Sequence, residues 1–395
     1  MRLLHTSNWH LGRTLHGVDL LEHQATFLDH LVEVVREESV DAVLVAGDVY
    51  DRAVPPVEAV SLLSETLARL AERCTVVLTP GNHDSAARLG FGAGLMRDTV
   101  HLRTRVADVG SPVVLNGPVA DDPPVLVYGL PYLDPDGCRR QLAADGGEPL
   151  PRSHAAVMRA AMDRVRVDAT QRAAAVGGPA PRTVVLAHAF VLGGQASESE
   201  RDIRVGGVDH VPAGVFAGVD YVALGHLHGP QRVAGPDGTV LRYSGSPLAY
   251  SFSERDHTKS SVLVELGTGG LVGEPRLVPA PVPRRLADVT GTLEALLGAG
   301  FDRYVDDWVR VVVTDPARPP ELVARVRRRF PHALVVQHQP PSTGTRVSTA
   351  VTAAHDPLEV AAEFVEHVTG ARPSAAEAAV LRSALEHVVA LERSA

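Results

Sequence analysis

The chain opens with short apolar runs alternating with stretches of helical period. Leu3 and Leu4 begin a strand over residues 3–7, and Phe27, Leu28, Leu31, Val34 and Val35 have helical spacing within residues 22–38. A second apolar run, residues 40–45, ends in Ala46-Gly47-Asp48. Pro55-Pro56 opens a helix to about Arg73 that turns Leu62, Leu63, Leu67 and Leu70 inward. Thr75-Val76-Val77-Leu78 is a third strand, stopped by Pro80-Gly81. Polar residues gather where each strand ends, which is where open α/β sheets place ligands.

Further strands are expected at 125–130, 184–188, 221–224, 241–244 and 261–266, with one helix over 153–175. Fewer helices separate these strands, so the pattern predicts an α/β/β/α sandwich rather than one doubly wound sheet. Pro275, Pro279, Pro281 and Pro283 mark a linker, with a boundary at 278–285. Beyond it, 308–314, 320–329 and 333–337 read as a small β-α-β unit. A Ser/Thr/Gly-rich linker over 340–352 precedes a helical tail. Asp356-Pro357 starts one tail helix, Gly370 ends it, and Ser374 with Glu377 forms a capping box for a second. In that second helix Ala378, Leu381, Leu385 and Val388 form one stripe. The expected divisions are 1–278, 285–340 and 353–395.

Composition narrows the class. Apolar content of 45% over 395 residues supports a real core and two or three domains. No run approaches a membrane span of about 18 apolar residues. The N-terminus enters a strand directly, and Cys74 and Cys138 suggest neither a disulfide framework nor a zinc knuckle, so a cytoplasmic protein is expected. The net charge of −9 argues against coating nucleic acid by bulk positive charge. It leaves a nuclease open, because bound divalent ions add local charge. Lys259 is the only lysine, which reads as genome base composition rather than function.

The candidate chemistry lies at the strand ends: Asn8, His10, Asp48, Asn82, His83, His188, His226 and His228. A polar turn would explain residues 81–84 alone. It does not explain five histidines with Asp48 and Asn82, all at strand ends. Two-metal hydrolases need a bridging carboxylate, here Asp48, with imidazole and amide ligands around each ion. Mixed N/O donors suit Mn²⁺, Fe or Zn²⁺ better than Ca²⁺. His83 can move a proton near neutral pH, and Asp84 is expected to orient its ring.

In order, Asn8-Trp9-His10, Gly47-Asp48, Gly81-Asn82-His83-Asp84, His188 and Gly225-His226-Leu227-His228 resemble the calcineurin-like metallophosphoesterases. The text around them is similar to the SbcD family of nuclease subunits: residues 5–12, 47–52, 197–201 and 243–247. That resemblance implies a metallophosphoesterase sandwich with a capping domain. It implies exonuclease and endonuclease activity on double-stranded DNA ends and hairpins in repair, recombination and replication. It also implies two divalent ions (Mn²⁺, with Mg²⁺ possible), a homodimer within a heterotetramer, and a separate SbcC-like coiled-coil ATPase that docks on the helical tail. The chain itself has no GxxxxGK[ST] nucleotide loop.

By the same resemblance, Asn8, His10, Asp48 and His228 would hold one ion, and Asp48, Asn82, His188 and His226 the other. His83 would act on the phosphate or the leaving oxygen. The family has aspartate where this chain has Asn8, which leaves either a trimmed activity or an inactivated form kept for DNA-end binding. A non-nuclease phosphodiesterase on the same fold is a further alternative. Arg52, Arg13 and His16 are candidate substrate contacts, with solvated-loop roles as the alternative. Arg325, Arg327, Arg328 and Arg329 suit either the helix dipole or DNA phosphate. The acidic loop 198–202 is expected to dock a neighbour.

Overall fold

A computed structural model describes residues 1–117, 122–175, 178–203, 210–236, 238–341, 356–369 and 371–392. The chain divides into two compact units, Met1–Pro340 and Pro341–Ala395.

In the first unit β1 (Arg2–Thr6), β2 (Ala42–Ala46), β3 (Thr75–Thr79) and β4 (Val100–Leu102) lie side by side in parallel, with α1 (Leu21–Glu37) and α2 (Val57–Ala71) as crossovers. A second sheet has antiparallel β5 (Val113–Leu115) at one edge. Next come β6 (Val125–Gly129), β7 (Arg182–His188) after helix α3 (His154–Ala175), and β8 (Tyr221–Gly225), again parallel. β9 (Gln231–Val233) and β10 (Val240–Tyr243) complete it in the order β9-β10-β8-β7-β6-β5. The chain then returns to the first sheet. β11 (Ser260–Gly267) pairs antiparallel with β1, and β12 (Gly270–Leu271) and β13 (Arg276–Pro279) pair with β11.

The period of two along each strand decides the layers. Leu3, Ala42, Leu44 and Val77 face Val184, Leu186, Tyr221 and Ala223 across the gap between the sheets. Their alternates Leu4, Val43, Val45 and Val76 pack under Phe27, Leu28 and Leu31 of α1 and Leu63 and Leu70 of α2. Val185, Ala187, Val222 and Leu224 pack under Val157, Met158 and Met162 of α3. The expected α/β/β/α sandwich is therefore the observed architecture. All the long parallel strands end at one edge of it.

Part of the expected linker is structured. Residues 276–279 form the edge strand β13, where Pro279 is tolerated because an edge position need not donate to a ladder. The small unit is also larger than a β-α-β. β14 (Leu286–Gly291) joins β15 (Trp308–Val313) and β16 (Ala333–His338) in a three-stranded parallel sheet. α4 (Leu293–Leu297) and α5 (Leu322–Arg329) cover it around Leu296, Val311, Val326 and Phe330. β14 escaped the sequence reading because its apolar run is broken by Asp288 and Thr290. Asp288 is held by Arg310 and by Arg255, and Trp308 packs against Leu248 and Tyr250.

In the second unit, α6 (Pro357–Thr369) is capped as expected, with the Leu358 N–H donating to Asp356 Oδ1 at 2.9 Å. α7 (Ala375–Glu392) begins with a reciprocal capping box: the Ser374 N–H donates to Glu377 Oε2 at 2.8 Å and the Glu377 N–H to Ser374 Oγ at 3.4 Å. Gly370, nearly all of the 340–352 linker and the side chain of Val388 lie outside the described residues.

Candidate metal centre

The strand ends deliver the side chains. β1 leads to Asn8 and His10, β2 to Asp48, β3 to Asn82 and His83, β7 to His188, and β8 to His226 and His228. Asn8, His10 and Asp48 all take positive φ (53°, 46° and 49°), and His226 reaches 105°. Non-glycine residues in that region cluster at functional loops, where the surrounding structure holds them. Here buried Gln24 of α1 does part of the holding. Its amide donates to the carbonyls of His10 at 2.7 Å and Trp9 at 3.1 Å.

Three glycines let the strand ends approach. A Cβ on Gly225 would sit 1.7 Å from the Ala46 carbonyl oxygen in the facing sheet. One on Gly47 would sit 2.3 Å from His188 Nδ1, and one on Gly81 would sit 2.2 Å from Asp48 Oδ1. These contacts account for the glycines of Gly-Asn-His-Asp and Gly-His-x-His, and at Gly-Asp a positive φ of 82° adds to the close approach.

Asp48 is the centre of the cluster and is buried. Its Oδ2 lies 3.6 Å from His10 Nε2 on one side and 3.3 Å from His188 Nε2 on the other. Beyond His10, its Nε2 faces His228 Nε2 at 3.1 Å. Beyond His188, Asn82 Oδ1 lies 2.8 Å from His188 Nε2 and 3.3 Å from His226 Nδ1. Donor atoms of His10, Asp48 and His83 lie within 4.8 Å of one another. Two groups of nitrogen and oxygen donors thus share one carboxylate.

The chemistry of these donors fits metal ions. Burial pushes His10 well below the ordinary histidine pKa despite the pull of Asp48, and it pushes His226 down to about 3. Neutral imidazoles are what a metal requires. Two facing imidazole nitrogens at 3.1 Å repel unless a proton or a cation lies between them, and burial disfavours the proton. For His188, burial works downward, but the charge and hydrogen bond of Asp48 lift the pKa above its usual value. Burial would raise Asp48, yet His188, then His10 and His83, hold it well below the carboxylate range. His188 also has its Nδ1 3.1 Å from the Ala46 carbonyl, which takes that N–H and leaves Nε2 for the cluster. Within this cluster two buried atoms, His10 Nδ1 and Asn82 Nδ2, have no hydrogen-bond partner among the described residues.

Several expectations need correction. Asp84 does not orient His83. Its carboxylate accepts the backbone N–H groups of Gly81 at 2.8 Å, Tyr50 at 2.9 Å and Val49 at 3.0 Å, which staples the 81–84 turn to the loop after β2. Burial, then the charge of Asp48, pushes its pKa up to about 7 against those three bonds. The His83 ring is set instead by the Asp51 carbonyl, 2.8 Å from Nδ1. Asn8 reaches the centre with its amide already engaged. Oδ1 accepts the His226 N–H at 3.0 Å, while Nδ2 donates to Ser7 Oγ at 2.9 Å and to the Leu227 carbonyl at 3.2 Å.

The candidate substrate contacts also separate. Arg13 is turned inward, over the Tyr250 ring at 4.8 Å and 3.6 Å from Asp51, with little surface left for a substrate. His16 is exposed and sits against Phe252 at 5.5 Å, whereas Arg52 is exposed and only 3.9 Å from Asp51. Arg329 pairs with Asp302, and Arg328 lies 4.0 Å from Glu321.

The acidic loop turns inward as well. The His228 N–H donates to Glu200 Oε1 at 2.8 Å, and Ser199 Oγ lies 2.7 Å from His228 Nδ1. Arg201 donates to the Asn82 carbonyl at 3.3 Å. The sequence placed Asp51, Ser199 and Glu200 in family-like stretches without giving them these roles, and it missed Tyr250 and Glu254, because nothing in their spacing marks a position opposite a distant histidine.

The chain belongs to the calcineurin-like phosphoesterase family, whose profile matches residues 1–230. That family uses divalent metal ions, and the fold is that of a metal-dependent phosphoester hydrolase. A second profile, SbcD_C, described as the type 5 capsule protein repressor C-terminal domain, matches residues 282–369. Similar solved structures include TT1561 of Thermus thermophilus, with 15% identity over 70% of this chain and 98% of that one and a TM-score of 0.38. A dimetal phosphatase from Danio rerio has 11% identity over 71% of this chain and 99% of that one, with a TM-score of 0.40. Among the described residues no helix is long and apolar enough to cross a membrane.

Proposed function

We propose that this chain is an SbcD-like nuclease subunit that hydrolyses DNA phosphodiesters with two divalent ions, Mn²⁺ first among them. The observation that carries the reading is the position of Asp48 Oδ2 between the His10 side and the His188 side of the cluster. Asp48, Asn82, His188 and His226 would hold one ion, and His10, His228 and Asp48, with Asn8 beside them, the other. Bound there, the ions supply Lewis acidity and an activated water for in-line attack on phosphorus. His83, with Nδ1–H on the Asp51 carbonyl, presents Nε2 to a phosphate oxygen or leaving group. Arg201 and Arg52 stand at the rim, where a guanidinium can fork onto phosphate.

The match of residues 282–369 to SbcD_C supports the same family and an SbcC-like coiled-coil ATPase as partner, and its start at 282 suits a boundary at 278–285; the division into 1–278, 285–340 and 353–395 is kept as part of this reading. Apolar groups left exposed on α6 and α7, Phe364, Val368 and Val380, suit a partner's coiled coil. The apolar groove of about 420 Å³ lined by Val60, Leu63, Leu67, Phe91 and Met96, beside exposed Leu95, offers a surface for the homodimer that the family resemblance implies.

The test is cleavage of hairpin and linear duplex DNA with Mn²⁺, with and without the ATPase. Cleavage of a small diester but no DNA would instead place the chain among non-nuclease phosphodiesterases. Mn²⁺ itself should stabilise the fold by about 2.7 kcal/mol at a hundredfold excess over its Kd, read as a rise in melting temperature that EDTA reverses.

The engaged amide of Asn8 favours a second reading, in which the His10–His228 side binds its ion weakly and the chain serves mainly to bind DNA ends. Asn8→Asp restores a charge worth about 4 kcal/mol at about 4 Å in partly screened surroundings, less about 1–3 kcal/mol for the lost donation to Leu227 and Ser7. The expected result is about 10- to 100-fold tighter Mn²⁺ at that side and a faster nuclease. Equal affinity and equal rate would remove Asn8 from the account.

A further inference from the structure

We infer that Lys259 and Glu254 are positioning residues of the metal centre, a buried ammonium–carboxylate pair that fixes which ring nitrogen of His228 faces the ions. The inference rests on the reading of His228 as a metal ligand, and it assigns a role to two residues outside the strand-end set.

Of the 38 lysines and arginines, Lys259 is the one lysine. A chain that uses arginine for every other cation keeps an ammonium here, in a side chain only 3% exposed. The surroundings suit an ammonium. Nζ donates to Glu254 Oε2, to Ser246 Oγ at 2.9 Å and to the His228 carbonyl at 3.0 Å, with His257 Nδ1 a longer 3.4 Å away. Three donors on a compact tetrahedral head meet three acceptors on two loops and a short 3-10 turn. A planar guanidinium of five N–H groups cannot match that arrangement.

Glu254 carries the effect to the ring. Its Oε1 accepts the Ser199 hydroxyl and lies 3.1 Å from His228 Nδ1. Ser199 Oγ is 2.7 Å from the same nitrogen. With Oε1 and the hydroxyl both at Nδ1, that nitrogen keeps the proton. Nε2 keeps its lone pair, and it is Nε2 that faces His10. The backbone of His228 is tied at both ends too, by Glu200 at its N–H and by Lys259 at its carbonyl. A carboxylate behind a ligand imidazole is a recurring device that raises ligand basicity and fixes the ring.

Stability alone does not account for the pair. Buried ion pairs replaced by apolar residues of similar volume are often neutral or stabilising, whereas removal of one partner strands the other. A purely structural site at this position has no need of charge. A site that must hold a carboxylate oxygen against the back of an imidazole needs a group that fixes the carboxylate's other oxygen, and Lys259 Nζ on Oε2 is that group.

The experiment is equilibrium Mn²⁺ titration by electron paramagnetic resonance on the full chain, wild type against Lys259→Met, Glu254→Gln and the apolar double variant Glu254→Leu/Lys259→Met, each with its melting temperature. The expected result is about 10- to 100-fold weaker binding at one of the two sites, with the other unchanged. In the double variant the melting temperature is retained while the affinity is lost, a separation that a merely structural role does not produce. Lysine labelled with ¹⁵N gives one side-chain signal in this chain, and that signal should shift when Zn²⁺ is added. A double variant that binds Mn²⁺ as wild type does, or a lysine signal indifferent to Zn²⁺, overturns the assignment and leaves the metal centre intact. Wild type that takes up a single ion or none overturns the two-metal reading and this inference together.

Discussion

Asp48→Asn is expected to abolish Mn²⁺-dependent hydrolysis, with a loss of about a thousandfold or more, while the protein remains folded. The substitution keeps the shape of the side chain and removes its charge. Neither orientation of the new amide works. With its nitrogen at the Oδ2 position, it points a donor at His10 Nε2 and His188 Nε2, which lie 3.6 and 3.3 Å away, and it cannot ligate. Turned over, the nitrogen meets the His83 N–H, which now donates to Oδ1 at 3.0 Å. The metal count from the same titration should fall at both sites, because both groups of donors share this residue. Residual activity near wild type, with two ions still bound, would defeat the bridging role.

Gly225→Ala should damage the fold rather than only the chemistry. The added methyl would sit 1.7 Å from the Ala46 carbonyl oxygen and 2.9 Å from its carbon. Both partners are backbone of facing sheets, so no side chain can swing aside. Small-to-large changes in a packed interior cost about 1–3 kcal/mol and occasionally more. A clash this deep, between two backbones, belongs at or beyond the upper end. Against a total stability of about 5–15 kcal/mol, the expected outcome is a large drop in the denaturation midpoint together with loss of metal binding. Gly47→Ala makes a useful comparison. Its clash is with the His188 ring and its φ of 82° disfavours any side chain, so it should cost metal affinity through His188 directly. A Gly225→Ala protein of wild-type stability would mean that the sheets separate more easily than their packing implies.

Much of this was legible in the chain. Apolar runs of four to seven residues between helical-period segments specified buried strands and their crossovers, because period two and period 3.6 are imposed by backbone geometry. Parallel strands fed by helices must end at a common edge, so polar residues after Leu4, Val45, Leu78, Ala187 and Leu224 could be assigned to one site before any coordinates. The weaker elements were not legible. The edge strand Arg276–Pro279 contains a proline, and Leu286–Gly291 interrupts its apolar run with Asp288 and Thr290. Each is a strand because a neighbour completes its ladder.

The sequence by itself determined that His10, Asp48, Asn82, His188, His226 and His228 stand at strand ends with the donor types a pair of divalent ions requires. Local chemistry and strand period are properties of a segment, and they survive without the rest of the molecule. Only the tertiary structure decided what each neighbour does. It gave Asp84 to the backbone of Gly81, Val49 and Tyr50 rather than to His83, and it engaged the Asn8 amide with Leu227 and His226. It also turned the lone lysine from a matter of composition into the cation behind His228. Asn8 lies more than two hundred residues from Leu227 and His226 and meets them because two sheets close on each other through the gap that Gly225 leaves open, whereas Asp84 meets Val49 and Tyr50 between the ends of neighbouring strands of one sheet. A hydrogen bond depends on distance and angle, and no spacing along one segment encodes either across that gap.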